Sequence, residues 1–365
     1  MQARIGSVLA AAALAFAAQA AAQTMVFINP GKSDEVYWVT AAHAMESAAR
    51  DLGVKLEVLY AQRDHMRTIE FARDIAARPA AARPEFVILS NDNATGPEIV
   101  RILDAAGVKT FLAFSSIPAE GRGETLGPRE KYKGWLGSLE PHAEDAGYMT
   151  ARALIAQGRK ANARAADGRL HLIAIAGDRT TPSSVRRNDG MQKAVAESHD
   201  VVVDQVVYAG WARDKAAEQA EWLFARYPEA RLVWAGNDLM AFGAMQALEK
   251  RGGVPGKDAF FSGVNTSKEA MDALASGRLT ALAGGHFITG AWAVVMLYDY
   301  AHGRDFRDEG LELDSPMFAS FDARSAAVFM ARYGENFDSV GFRRYSKALN
   351  PKLKRYDFGF AQLLR

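Results

Sequence analysis

Short apolar runs alternate with longer amphipathic stretches along most of the chain. The first apolar run, Met25–Asn29, is followed by a Pro-Gly pair. The next stretch, Tyr37–Leu52, repeats apolar residues at helical spacing and ends at Gly53. With a second apolar run over Lys55–Tyr60, this pattern predicts one β-α-β unit.

The same alternation continues and predicts two similar halves. In the first half the predicted elements are a helix over 69–77, a strand over 86–90, a helix over 98–106 and a strand over 110–114. After a polar loop over 118–133, the second half has predicted helices over 144–157, 184–197, 215–227 and 239–251 and strands over 170–176, 201–207, 232–235 and 260–263. Strands joined by helices form parallel sheets covered on both faces. We therefore predict an α/β fold with two doubly wound parallel-sheet lobes.

Composition and charge narrow the possible functions. The chain has 44 Lys and Arg against 43 Asp and Glu, a net charge of +1, so no overall field attracts nucleic acid or an anionic membrane. It contains no Cys, which excludes disulfides, thiolate metal sites, iron–sulfur clusters and cysteine nucleophiles.

The N-terminus has the form of a secretory signal peptide. One cation, Arg4, precedes the uncharged run Ile5–Ala18, and small residues follow up to Ala22. We expect cleavage after Ala22, with Ala20 as the alternative, and export of a soluble protein to a bacterial periplasm. An uncleaved membrane anchor is disfavoured because the run is mostly Ala and no stop charges follow it.

Polar and aromatic residues collect where the predicted strands end. Two doubly wound lobes bring these strand ends to a common crevice, where such sheets bind ligands. Ser90, Asp92, Asn93, Ser116, Asp238 and residues 180–186 also follow strand ends, but the candidates we select are Ser33, Glu35, Tyr37, Trp38, Asn91, Ser115, Arg187, Trp211 and Asn237. Indole faces with amides, hydroxyls and a cation suit a neutral, hydroxylated small molecule.

Motifs for catalysis and cofactor binding are absent from the sequence. It has no dinucleotide fingerprint, phosphate loop, nucleophile elbow or paired-His zinc motif. Residues 91–96 superficially resemble a calcium loop, but no Glu closes it, so we interpret the segment as a loop that caps the next helix. We predict a binding protein with no cofactor and no metal, and disfavour an enzyme on the same scaffold.

Four segments carry a resemblance to a known family: residues 26–38, 183–191, 232–244 and 261–266. Through them the chain resembles the type I periplasmic solute-binding proteins of the sugar-binding group, which includes ribose-binding proteins and LacI-family effector domains. Within the group, the opening segment and the C-terminal extension most resemble the autoinducer-2 receptors. The resemblance implies hinge closure around a ligand and three crossovers, near Trp135–Leu139, Gly263–Thr266 and Ala283–His286.

The resemblance also implies domain bounds and partners. We expect an N-terminal lobe of residues 23–135 plus about 286–320, a C-terminal lobe of residues 136–285 and an extension, 321–365, packed on the lobes. The implied partner is an inner-membrane ABC permease that receives the ligand. The alternative is a sensor kinase or chemoreceptor that reads the closed form. We expect a monomer.

By position, the family's binding residues correspond to eight of this chain: Ser33, Glu35, Tyr37, Trp38, Arg187, Trp211, Asn237 and Asn265. Three positions depart from the family pattern. Phe114 and Ser115 replace an Asp-Arg pair, Asn265 replaces an Asp, and Gly284 replaces an amide or Arg. The loss of two acidic acceptors and one donor removes much of the bidentate hydrogen bonding to sugar hydroxyls. They predict a ligand other than ribose, glucose, galactose or autoinducer-2, either larger or more apolar, with His286 as a further candidate that reaches inward.

Several candidates have a structural alternative. Trp38 and Trp211 could simply pack in the core or between the lobes. Arg187 could form an ion pair with Asp178 or Asp189. Asn237 could cap a helix, and Asp238 is the better candidate for a cap alone. Glu35 could be a solvated carboxylate in the first turn of a helix.

The C-terminal segment Phe342–Arg365 holds seven cations and one anion, interleaved with aromatic residues. We predict that it wraps over one lobe with its charges in water. The alternative is contact with a membrane partner or with anionic lipid headgroups.

Overall fold

Two six-stranded sheets organise the computed structural model, which describes residues 23–334 and 336–364. The predicted signal peptide, residues 1–22, lies outside the described residues. The strands are β1 (Thr24–Asn29), β2 (Lys55–Tyr60), β3 (Phe86–Leu89), β4 (Lys109–Ala113), β5 (Trp135–Pro141), β6 (Leu170–Ala176), β7 (Val201–Tyr208), β8 (Leu232–Ala235), β9 (Phe260–Val264), β10 (Ala281–Gly284), β11 (Glu312–Ser315) and β12 (Ala319–Phe321).

Helices connect these strands and cover both sheets. They are α1 (Val36–Leu52), α2 (His65–Ala77), α3 (Gly96–Ala105), α4 (Ala143–Lys160), α5 (Pro182–Ala196), α6 (Arg213–Arg226), α7 (Asp238–Lys250), α8 (Lys268–Ala275), α9 (Thr289–Ala301) and α10 (Ala323–Tyr333). Local sequence sets several helix starts. The Asp64 carboxylate, for example, accepts a hydrogen bond of 2.9 Å from the Met66 amide and begins α2, four residues earlier than periodicity predicted.

The two sheets define two lobes. The first has the strand order β11-β5-β4-β3-β1-β2 and is parallel throughout. The second has the order β12-β10-β9-β8-β6-β7, and only its pairing of β10 with β12 is antiparallel. Central strands such as Phe86–Leu89 are buried along their whole length, as expected for parallel strands covered on both faces.

The chain crosses between the lobes at positions that partly differ from the prediction. Trp135–Leu139 is not a crossover, because these residues belong to β5 and pair with β4. Gly263–Thr266 is not one either, because β9 and β10 pair with each other in the second sheet. The chain passes between the lobes just after β5, after β10 and after β11. The first lobe therefore extends to Pro141 rather than ending at residue 135, and β12, predicted within the first lobe, belongs to the second sheet.

The C-terminal extension contacts both lobes rather than the one lobe predicted. Helix α10 packs on α8 of the second lobe, whereas residues 338–345 pack on α1 of the first. Its aromatic side chains are buried: Phe358 stacks on Trp292 at a centroid distance of 4.9 Å, and Phe360 packs against Phe287 at 5.8 Å. Aromatic rings buried in the fold are not available to a lipid surface, so the structure favours the packed tail over lipid contact.

No helix within residues 23–334 and 336–364 combines the length and the hydropathy needed to cross a bilayer.

Candidate functional site

A cavity between the lobes collects side chains from both sheets and from the crossovers. The cavity is small in this structure, about 40 Å3, against roughly 300–1,000 Å3 for typical small-molecule sites. Its lining residues are Glu35, Tyr37, Trp38, Arg63, Ser90, Asp92, Phe114 and Ser115 from the first lobe, Ser183, Arg187, Trp211, Asn237 and Asn265 from the second, and Pro141 and His286 at crossovers.

Each lobe contributes one tryptophan that lies against a glycine. A Cβ at Gly31 would lie 2.1 Å from Cδ1 of Trp38, and a Cβ at Gly177 would lie 2.3 Å from Cζ2 of Trp211. Both glycines follow the first strand of their sheet, β1 and β6, so the two indoles occupy equivalent places in the two lobes. Only glycine permits this close approach, which fixes each ring at the cavity wall.

The two indoles differ in their hydrogen bonds. Trp211 Nε1 donates to Asp178 Oδ2 at 2.9 Å, and its backbone has a φ of 66°, a strained conformation often found at functional sites. Trp38 is 3% exposed and its buried Nε1 has no hydrogen-bond partner among the residues that the structure describes. Trp38 is thus both part of the core, as the alternative held, and part of the cavity wall.

Aromatic rings continue the wall from the first lobe to a crossover. Tyr37 stacks on His286 with centroids 4.7 Å apart, and His286 stacks on Phe318 at 4.5 Å. Phe114 meets Trp38 edge to face at 5.1 Å and has a φ of 72°. Burial raises the pKa of Tyr37, so its hydroxyl stays protonated.

A charged cluster forms the polar part of the first lobe. Arg63 bonds both oxygens of Glu35, with Nε at 2.8 Å from Oε2, and its Nη1 lies 3.4 Å from Asp92 Oδ2. Ser90 Oγ donates to Asp92 Oδ1 at 2.7 Å. Burial raises the pKa of Asp92, and Arg63 only partly opposes this. Burial lowers the pKa of Arg63, but Glu35 and Asp92 outweigh it, so the net shift is upward.

Arg187 of the second lobe reaches the crossover residue His286. Its Nη1 donates to the Gly236 carbonyl at 2.8 Å and its Nη2 lies 2.8 Å from His286 Nε2. The alternative to ligand contact, an ion pair of Arg187 with Asp178 or Asp189, is not formed among the described residues. Burial lowers the pKa of Arg187 to about 10, and burial, followed by the neighbouring guanidinium, lowers the pKa of His286 well below its usual value. At neutral pH the arginine is charged and the histidine is neutral.

Polar side chains after β8 and β9 support the second lobe's wall. Asn237 Oδ1 accepts from the Met240 amide at 2.8 Å and caps α7, and Asn237 also lines the cavity. Asp238, the residue predicted to be the better cap, instead accepts from Asn265 Nδ2 at 2.8 Å and from Ser267. Burial raises the pKa of Asp238. These bonds hold Asn265 at a φ of 125° beside the cavity.

The structure brings together nine of the eleven predicted site residues: Glu35, Tyr37, Trp38, Ser115, Arg187, Trp211, Asn237, Asn265 and His286. Ser33 is exposed and accepts from Gln62 Nε2 at 3.1 Å, outside the cavity. Asn91 is buried, but its Oδ1 accepts from the Gly96 amide and its Nδ2 donates to Ser116 O, both at 2.8 Å, so it fixes the start of α3 instead. Neither residue therefore lines the cavity.

The prediction missed several lining residues, of which Arg63 and Asp92 matter most. Both follow strand ends, β2 and β3, so the rule that identified the other candidates applied to them as well. With Glu35 they place charged groups in the first-lobe wall. The expectation of weaker binding to hydroxyls stays a prediction.

Two α/β lobes that enclose a small polar and aromatic cavity define a two-lobed ligand-binding protein. Residues 23–334 and 336–364 contain no group of three or more His, Asp or Glu side chains placed to hold a metal ion. The chain belongs to the periplasmic binding protein family, because the family model described as "Periplasmic binding protein domain" matches residues 25–305. This family membership and the sheet topology confirm the predicted fold class, and the chain is a substrate-binding protein rather than an enzyme.

Individual relatives agree with this assignment. A periplasmic sugar-binding protein from Pseudomonas fluorescens is similar in structure, with a TM-score of 0.82, 36% identity and coverage of 94% of this chain and 100% of its own. The ribose import binding protein of Haemophilus influenzae is 27% identical over 270 residues, 73% of this chain and 82% of that protein. The D-apiose import binding protein of Paraburkholderia graminis is 25% identical over 257 residues, 70% of this chain and 73% of that protein. The resemblance to autoinducer-2 receptors stays a prediction.

Proposed function

We propose that this protein captures a hydroxylated, carbohydrate-like small molecule between its lobes in the periplasm and delivers it to an ABC importer. Three relatives support the proposal by what they are described to bind: a sugar, ribose and D-apiose. Two of these relatives are import binding proteins.

The observation that carries the proposal is the composition of the cavity wall. Trp38 and Trp211 offer one indole from each lobe, a suitable surface for the apolar faces of a sugar ring. Glu35, Arg63 and Asp92 offer charged groups that bond hydroxyls more strongly than neutral groups do.

We further propose that ligand closes the lobes by a hinge at the crossovers. In the present structure the lobes touch across the cleft: the Asn93 amide lies 3.4 Å from Thr181 Oγ1, and Arg186 lies 3.7 Å from Glu140 and 3.6 Å from Asp314. A ligand that bonds both lobes favours such a closed form by its differential affinity for it.

A thermal-shift panel of pentoses, hexoses and polyols tests the proposal, after mass spectrometry of any compound that co-purifies. A true ligand raises the melting temperature by mass action, and the co-purified compound is released chemically intact. In Trp211→Ala we expect binding to weaken by about 1–3 kcal/mol, roughly 5- to 150-fold in Kd. Trp222→Ala is the matched control, because Trp222 lies in the same lobe, is 75% exposed and does not line the cavity. Equal affinities in the two variants would contradict the proposed site.

Three further features belong to the proposal. We propose that residues 1–22 are removed on export, which the intact mass of periplasmic protein tests. Because one chain supplies both walls of the cavity, we propose a monomer, which light scattering tests. Uptake of the labelled ligand by cells lacking this protein tests delivery to an importer: lost uptake supports it, whereas normal uptake with a lost transcriptional response supports a sensor partner.

A further inference from the structure

Arg187 is a buried cation without an anionic partner among the described residues. Its side chain is 5% exposed, and both groups that it bonds, the Gly236 carbonyl and His286, are neutral. Arg63, in the opposite wall of the same cavity, is instead paired with Glu35 and Asp92. The guanidinium also lies over the rings of Trp211 and Phe318, at 5.5 Å and 5.7 Å, but no anion offsets its charge, so an added anionic acceptor would stabilise it.

The fully buried polar side-chain atoms of the cavity residues that lack a partner among the described residues are all nitrogens. Buried nitrogens without a partner are Nε1 of Trp38, Nε of Arg187 and Nδ1 of His286. A guanidinium can only donate, so His286 Nε2 is the acceptor in its bond to Arg187. The neutral imidazole then carries its proton on Nδ1, which makes this atom a donor.

The carboxylates that line the cavity lie in the first-lobe wall, opposite Arg187. Glu35 and Asp92 both belong to the first lobe and form a cluster with Arg63 whose formal charge is negative. Asp238 lies behind the second-lobe wall, where Asn265 and Ser267 occupy its oxygens. The cavity is therefore electrostatically divided, with acceptors in the first lobe and an unpaired cation between the second lobe and the crossover.

From this division we propose that the ligand is a sugar acid, whose carboxylate bonds Arg187 and whose hydroxyls face the Glu35–Arg63–Asp92 cluster. A carboxylate is an acceptor only and suits the donors of Arg187 and His286, whereas a sugar hydroxyl in that place would leave the arginine's charge without an anion. The inference rests on the proposed function and replaces the neutral ligand that the sequence suggested with an anionic one.

Calorimetry with matched pairs of compounds tests the inference on the unmodified protein. The probes are D-galactose with D-galacturonate and D-glucose with D-glucuronate, pairs that share a pyranose ring, and acetate controls for simple anion binding. We expect at least one acid to bind tenfold or more tightly than its neutral partner, and acetate to bind much more weakly. If a neutral sugar binds as tightly as its acid, the inference is wrong and the proposed function stands. If no sugar, polyol or acid binds, the proposed function fails, and this inference fails with it.

Variants separate recognition of the carboxylate from damage to the closed form. Arg187→Gln should reduce affinity for the acid at least 100-fold while changing the affinity for its neutral partner by less than tenfold. Arg187→Lys, which keeps the charge and loses the planar fork, should give an intermediate loss for the acid. Arg152→Gln is the matched control, because it removes a cation that is 57% exposed on the outer surface of α4. An equal loss for the acid and the neutral sugar in both Arg187 variants would overturn the inference, since it would mean that Arg187 supports closure only.

Discussion

Replacing Phe360 by Ala tests whether the C-terminal extension is part of the folded core. Phe360 is 0% exposed, and its ring centroid lies 5.8 Å from that of Phe287, 6.1 Å from that of Phe329 and 6.2 Å from that of Phe321. It also lies over the crossover residue Gly285, where a Cβ would come within 2.2 Å of the ring. The side chain therefore joins the end of the chain to a crossover.

The expected magnitude follows from this burial. Truncating a buried Phe to Ala costs about 3–5 kcal/mol, and because a chain end can detach and let water enter, we expect a value near 3 kcal/mol. Against a total stability of about 5–15 kcal/mol, such a loss is large enough to measure clearly. Urea unfolding followed by far-UV circular dichroism gives the free energy of unfolding of both proteins.

The exposed residue Trp222 provides the control for this measurement. Trp222→Ala removes an aromatic side chain that is 75% exposed, so it should change the free energy of unfolding by less than about 0.5 kcal/mol. If Phe360→Ala also costs less than 1 kcal/mol, the extension is not docked on the lobes in solution, and the account of its aromatic residues is wrong.

Two further predictions concern the site and the second lobe. Gly177→Ala should weaken ligand binding about tenfold, because the added methyl group displaces the Trp211 indole. Gly121→Ala is the control: its Cβ would meet only ordinary contacts, so this variant should bind the ligand normally. Calorimetry measures both affinities, and equal values would contradict the role of Gly177. Burial lowers the pKa of His171, but the hydrogen bond to Asp204 helps to outweigh this effect, and the net shift of the pKa is upward. Protonated His171 therefore stabilises the folded state: this contribution is complete below pH 6.5 and is lost as pH rises through the raised pKa. Urea unfolding between pH 5.5 and 9 should show this loss, of less than about 1 kcal/mol, in the unmodified protein but not in His171→Asn. If the free energy of unfolding depends on pH in the same way in both proteins, His171 is not the group responsible.

Much of the fold could be predicted from periodicity. The strands Lys55–Tyr60, Leu170–Ala176 and Leu232–Ala235 were predicted with their observed bounds, because each is a short apolar run ended by polar or turn residues. Strand β5 was missed, because Trp135–Pro141 follows a long polar loop and includes Gly137 and Glu140 within the strand. Its place in the first sheet depends on pairing with β4, a tertiary contact that local sequence does not encode.

The site was predictable where a strand end also faces the cavity. Trp38 and Arg187 were found because strand ends of two facing lobes converge, whereas His286 was found from its place beside Gly284, where the chain departs from the family pattern. Asn91 also follows a strand end but does not line the cavity, because its side-chain amide oxygen accepts a hydrogen bond at the start of α3. The pairing of Arg187 with a neutral histidine instead of a carboxylate depends on the packing of the second lobe against a crossover, which the spacing of residues in the sequence does not reveal.

A crystal structure of the protein with the compound that it captures in the periplasm tests the central claim most directly. The account predicts one intact molecule between the lobes, in contact with Trp38, Trp211 and Arg187. A molecule bound elsewhere on the surface, or a chemically altered product in the cleft, would contradict it.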